Sequence, residues 1–329
     1  MHSEGSGLLE RAVAALTSIL AWLGRQGTRA VAISIVLGIF LPPLGAIIRP
    51  YFPETVFALL VLAFLRVDPG ALREQLAKPR LLVAAAIWTM LIVPLVAGLA
   101  LSAIDLKATS PALLLALVIN FVAPPIFASP ALAALMGLNA AITLALLLVC
   151  IAVTPFLAPA LVAMFAGSAV TFSPLSLGLR LVLMLAGAAL TGVAVRAVAG
   201  KPWVERQAER IDGLNVIVLF LFAVALMGDV LSNTISQPLY VLGLLALGCL
   251  VTFGLYVLTA LLLIRVDFHT AVPLAHAAAS RNTGLMLAAA AGAVPELVWL
   301  YMALLQIPIY ALPLVIKPLL RRFTQQPAA

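Results

Sequence analysis

The sequence predicts an all-α integral membrane protein: ten transmembrane helices in two inverted five-helix repeats, with the fourth helix of each repeat broken. Three observations carry this reading. Of 329 residues, 64% are apolar and 9% charged, against about 45–50% and 25% in average soluble domains. Apolar runs near the length needed to cross a bilayer recur ten times along the chain. The basic residues segregate to one side of those runs.

The elements follow in order. In residues 1–29, Leu9, Val13, Leu16, Ile19, Leu20 and Leu23 recur at helical spacing, with Glu10, Arg11 and Ser18 elsewhere. That pattern predicts an amphipathic helix lying on the cytoplasmic membrane surface. It is not a secretory signal: Glu4 and Glu10 are acidic, and no small-residue cleavage site follows a basic start. Spans at 30–48, 51–66, 81–104, 111–135 and 140–166 make the first repeat, 30–166. Spans at 176–198, 213–232, 239–264, 270–291 and 297–316 make the second, 176–316, and 317–329 is a cytoplasmic tail. The second span is short, bounded by Pro53 and "RVDPG" (Arg66–Gly70). Five is odd, so the second repeat enters the membrane from the opposite side, a common plan for secondary transporters. Pro42, Pro43, Pro94, Pro155, Pro159, Pro308 and Pro313 read as kinks.

With the N-terminus inside, fifteen of the 19 Lys and Arg residues fall on the cytoplasmic side. Arg49, Lys107 and Arg180 fall outside, and Arg281 lies within a span. This is the positive-inside bias, so both termini are expected in the cytoplasm, with the chain in the inner (plasma) membrane. It also accounts for the net charge of +7 through anionic lipid rather than nucleic acid. Cys150 and Cys249 sit in apolar runs and form neither a metal spacing nor a disulfide framework. No cofactor motif is present.

Two spans are interrupted. Span four reads "NFVAPPIFASPALAALMG" (Asn120–Gly137), and Pro124, Pro125 and Pro130 have no amide hydrogen with which to continue a helix. Span nine reads "HAAASRNTGLMLAAAAG" (His276–Gly292). Its Arg281 is about eleven residues, or ~16 Å, from either interface, too far to snorkel. A charge at that depth costs at least ~2.5–3.5 kcal/mol, so it needs a partner: Asp229, backbone carbonyls or a bound anion. Broken helices in matching positions point to a midplane site. The candidate site residues are Ser129, Pro130, Thr143, Ser280, Arg281, Asn282, Thr283 and Gly284, with Asn120, Thr89, His276 and Asp229 beside them. His276 reads either as a packed residue or as a proton carrier. Gln306 reads as interhelical glue.

These stretches carry a resemblance. "FLRVDPGALREQLAKPRLLVAAAIWTMLIVP" (Phe64–Pro94), "APPIFASPALAALMGLNAAIT" (Ala123–Thr143) and "SRNTGLMLA" (Ser280–Ala288) resemble the second loop and third span, the broken fourth span leading into the fifth, and the broken ninth span of the bile acid:sodium symporter family. The resemblance implies a panel domain of spans 1, 2, 6 and 7 beside a core domain of spans 3–5 and 8–10. Its two broken helices would cross in the core, with substrate binding between the domains. The family's sodium ligands match Ser129 and Thr143, but other ligand positions fall on Pro130, Leu147 and Thr89. The glutamate of the ninth span falls on Ala277, and the glutamine four residues later falls on Arg281. Independently of any resemblance, no carboxylate is expected at the midplane, since every acid but Asp229 lies in a loop, a tail or a span end, and Asp229 is near the outer end of span seven.

The expected function is a secondary transporter of a small organic anion working by alternating access, with no conventional sodium coupling. Arg281 is either a tethered counter-ion that replaces the sodium, a direct substrate contact, or a plug in the carbonyl ends of the broken helices. The competing readings are a sodium-dependent symporter with unusual ligands, a non-transporting sensor or scaffold, an arsenite-type exporter and a membrane enzyme. The exporter would need a cysteine between Ala123 and Gly137, which is absent. The enzyme would need a metal cluster, a triad or paired carboxylates at the midplane, and none is read.

Overall fold

The computed structural model describes all residues except 1, 27, 68–69, 71–78, 168–171, 264, 266–267, 291 and 325–329. Its regular structure is helical throughout the described residues. Seven segments are long and apolar enough to cross a membrane: Pro42–Leu65, Pro79–Ala103, Ala140–Ala166, Pro174–Ala199, Ala208–Ser236, Pro238–Leu263 and Glu296–Pro318. Expected spans one, four and nine are missing from that set because each is interrupted. Span one breaks at Leu41, where Pro42 and Pro43 remove two successive amide donors. It becomes α2 (Thr28–Phe40) and α3 (Pro42–Ile48), preceded by α1 (His2–Gln26).

The chain forms two compact units, 1–67 with 186–231, and 68–185 with 232–329. In the first, α1, α2, α3 and α4 (Phe52–Leu65) all pack on one helix, Ala208–Met227. Gly38 lies against Ala223 of that helix, and Gly45 against Gly228 just beyond it. A short 3₁₀ turn, Arg49–Tyr51, follows. Phe52 then stacks on Phe222 with ring centroids 5.2 Å apart, and Leu65 packs with Ile211. The chain therefore reverses between Gly45 and Phe52. Pro42–Leu65 is two antiparallel arms, not one rod, and the boundary expected near residues 48–51 falls at this turn. Ion pairs mark the two ends: Arg49 with Asp229 at 2.6 Å, and Arg66 with Asp212.

The C-terminal part of α1 meets the start of the same long helix. Leu20 lies against Gly213, Gly24 against Glu209, and Arg25 pairs with Glu209 at 3.0 Å. A methyl group at Gly213 would strike the Leu20 carbonyl; small residues let backbones approach this closely. Of the expected apolar stripe, Leu16 and Ile19 are more than half exposed, and the side chains of Leu9 and Val13 lie outside the described residues.

The second unit holds the interrupted helices. Along the chain after α4, α5 is Pro79–Ile87, followed by a π-helical turn at Trp88–Ile92, then α6 (Val93–Ala103) and α7 (Leu106–Thr109). Span four is α8 (Pro111–Val122) and α9 (Ser129–Leu135), leading to α10 (Ala140–Ala166). Next are α11 (Pro174–Ala199), which runs from the second unit into the first, α12 (Lys201–Arg206), α13 (the Ala208–Met227 helix) and α14 (Val230–Ser236). After α15 (Pro238–Leu263), span nine is α16 (Phe268–Ala279) and α17 (Thr283–Ala289), and α18 is Glu296–Thr324. Helix α16 is held on two sides. Leu274 and Ala277 pack with Leu82, Ala86, Met90, Leu146 and Cys150. Val272, Ala275 and Ala279 pack with Leu255, Tyr256, Leu312 and Ile316.

Candidate functional site

The two breaks meet. Pro124 and Pro125 end α8, and the chain runs extended to α9; Ser280–Asn282 separates α16 from α17. The extended segments pair as a single antiparallel bridge, Pro125 with Arg281. The Ile126 amide donates to the Ser280 carbonyl at 2.8 Å, and the Asn282 amide donates to the Pro124 carbonyl at 2.7 Å. Each break thus supplies partners for backbone groups that the other frees, which the interior of a bilayer demands. The Asn282 side chain accepts from the Leu285 amide at 3.1 Å and caps α17. Gln306 of α18 donates to the Met302 carbonyl at 3.1 Å and to Thr283 Oγ1 at 3.5 Å, tying α18 to the second half-helix.

Arg281 is 1% exposed. Its Nη1 donates to the Thr89 carbonyl and to the Ala123 carbonyl, each at 3.0 Å. Both acceptors have a local cause. Ala123 ends α8, where carbonyls run out of helical partners. Thr89 sits in the π turn, where Val93 donates to the Trp88 carbonyl five residues back and the regular ladder is locally displaced. Nε and Nη2 have no protein partner. Guanidinium carries five N–H donors in a rigid fork, so this side chain is committed at one corner and unpartnered along the Nε/Nη2 edge. Carboxylates and sulfonates fit such an edge.

Of the partners considered for Arg281, the structure shows backbone carbonyls. Asp229 is in the other unit, ion-paired with Arg49. No Asp or Glu is buried among the described residues. Ala277, fully buried, faces the apolar group of Met90, Leu146 and Cys150. Where the family resemblance puts a glutamate, this chain has packed hydrocarbon.

The other expected residues divide. Ser129, Ser280 and Thr89 are buried with hydroxyls that find no protein partner. Thr143 is buried on α10, but its hydroxyl donates at 2.8 Å to Ala140 in its own turn. Pro130 is the second residue of α9 and half-buried. Gly284 and Asn120 are buried in α17 and α8. His276 is fully buried on α16, and neither ring nitrogen has a partner. Sequence reasoning missed the carbonyl role of Thr89 and the Tyr301 hydroxyl, which is buried and unpartnered on α18. It also missed the Trp88 indole donating to Thr259 at 3.0 Å, which ties the π turn to α15. One available signal was Pro94: it removes the amide that would close a regular turn onto Met90.

Among the described residues no His, Cys, Asp and Glu side chains gather as a metal site. No curated protein matches the chain. The model of the SBF-like CPA transporter family matches residues 28–323, which takes in both units and both broken helices. The chain is therefore a multi-pass membrane protein of the bile acid:sodium symporter type, and it belongs to the SBF-like CPA transporter family.

Proposed function

We propose that this protein is a secondary transporter of small organic anions that works by alternating access without a bound sodium ion, the Arg281 guanidinium acting as a fixed counter-ion at the crossover. The observation that carries the reading is the division of labour on Arg281. Nη1 is held by the Ala123 carbonyl at the end of a broken helix and by the Thr89 carbonyl in the π turn, and the Nε/Nη2 edge is buried without a protein partner. A fixed positive charge there supplies what a sodium ion supplies in a sodium-coupled relative. Ala277 in its apolar setting, and the self-satisfied Thr143 hydroxyl, speak against sodium ligation.

Other features support the wider frame. The division into 1–67 with 186–231 and 68–185 with 232–329 agrees with a panel and a core. The two interrupted spans have the same build, a 12-residue helix followed by a 7-residue helix, as inverted repeats require. The charge asymmetry favours cytoplasmic termini.

Uptake of radiolabelled cholate and benzoate into proteoliposomes tests the function, with inward sodium or potassium gradients imposed in parallel. The expected result is uptake of the carboxylates, none of benzamide, and no difference between the two cations. Uptake that requires the sodium gradient contradicts the reading.

A further inference from the structure

We propose that His276 is the proton-carrying group of this transporter, so that anion movement is coupled to one proton taken up on the imidazole. The inference rests on the transporter reading and goes beyond it by naming the coupling ion and its ligand.

Ser280 directly follows α16 and lies one turn on from His276, its amide donating to the His276 carbonyl at 3.0 Å. Both are fully buried, and His276 Nδ1, His276 Nε2 and Ser280 Oγ have no partner. A neutral imidazole has one donor and one acceptor to satisfy, and burying both unmet costs free energy with no return. Packing alone does not explain this choice, since alanine and leucine fill the neighbouring positions. The location is also particular. Ser280 is the residue whose carbonyl accepts from Ile126 across the crossover, so the imidazole lies one turn from the joint between the broken helices.

Elimination points the same way. Imidazole is the side chain whose unperturbed charge change falls between about pH 5 and 8. Helices α15, α10 and α9 pack against α16, and so do α5 with the π turn, through Leu82, Ala86 and Met90, α6 through Val93, and α18 through Leu312 and Ile316; of these, α5 carries Arg80 and α18 carries Tyr301, Tyr310 and Lys317. Tyr256 comes from α15 into the cluster around Ala275 and Ala279, and Cys150 comes from α10 into the cluster around Leu274 and Ala277. Helix α9 brings no titratable group. Arg281 follows five residues on, its Nη1 turned to Thr89 and Ala123. With no buried Asp or Glu among the described residues, His276 is the buried imidazole in this part of the core.

The charge balance gives the coupling a purpose. An empty crossover carries the one positive charge of Arg281. A bound monoanion cancels it, and a proton on His276 restores it. The loaded and empty forms then carry equal charge, and the cycle is electroneutral. Without the proton, one of the two reorientations moves a charge that the other does not.

The test joins a titration to a transport assay. In full-length protein labelled with nitrogen-15 histidine, the ring signal that disappears in His276→Gln identifies this residue among the three histidines. The expected result is reversible protonation of that ring with the fold retained. In proteoliposomes, wild type should accumulate radiolabelled cholate about tenfold for each unit of acid-outside pH gradient, unaffected by a potassium–valinomycin potential. His276→Gln should still exchange labelled for unlabelled cholate but no longer accumulate it. A ring that stays neutral until the protein unfolds overturns the proposal, as does a His276→Gln protein that accumulates cholate as wild type does. Absence of cholate exchange in wild type would instead count against the transporter reading for that anion, and the ring titration would still decide the proton site.

Discussion

Truncating Arg281 to alanine separates an arginine that holds the crossover from one that merely burdens it. The wild-type side chain is 1% exposed and donates at 3.0 Å to two carbonyls from different elements. Leaving both acceptors unmet costs ~1–3 kcal/mol each, or ~2–6 together. Losing the packing of two side-chain methylenes, Cγ and Cδ, costs ~1.6 kcal/mol more at ~0.8 each. Against this, removing a buried charge returns ~2.5–3.5 kcal/mol. The balance is a net destabilisation of ~3 kcal/mol, with the sign set by the carbonyls and methylenes together. Arg281→Lys keeps the charge and most of the stem and can still donate to a carbonyl, so it should fall in between. Reversible denaturation in mixed micelles measures the series. An alanine variant as stable as wild type, or more so, would refute the view that Nη1 fastens the broken helices to the π turn.

Two more predictions bear on topology and on the vacated ion ligands. In a background lacking Cys150 and Cys249, an impermeant thiol reagent added to intact cells should label Gln237→Cys and leave Glu205→Cys unlabelled; the reverse pattern would invert the orientation read from the basic residues. The double variant Ala277→Glu with Arg281→Gln replaces a positive crossover by a negative one and should acquire sodium-dependent stability, worth ~2.7 kcal/mol at a hundredfold excess over the dissociation constant. No response to sodium in a folded double variant would mean that Pro130, Leu147 and Thr89 alone exclude the ion.

The crossover was legible because its causes are local. Pro124 and Pro125 remove two successive amide donors where α8 ends, and an arginine in the middle of an apolar run demands a partner. The structure then pairs those two stretches residue to residue, Pro125 with Arg281. The choice of partner was not legible: Asp229, carbonyls and a bound anion all satisfied the same charge argument, and only tertiary geometry puts Asp229 beside Arg49. The π turn escaped notice because a wide turn leaves the apolar pattern almost unchanged, with Pro94 as its one trace. The expected end of span one at residue 48 coincides with the end of α3 at Ile48, but its break at Leu41 was read only as a kink, since two prolines do not say how far a helix bends. The packing of α1 on Gly213 was missed as well. Amphipathic spacing reports which face is apolar, not whether lipid or a glycine-lined helix meets it.

The central claim is that a fixed guanidinium stands where a sodium-coupled relative binds its ion. Thermal unfolding of the purified wild-type protein in matched sodium and potassium salts tests it most directly. The account predicts identical melting temperatures in the two salts from low to high concentration. A saturable rise in sodium alone, reaching the ~2.7 kcal/mol that a filled site adds at a hundredfold excess, would contradict it.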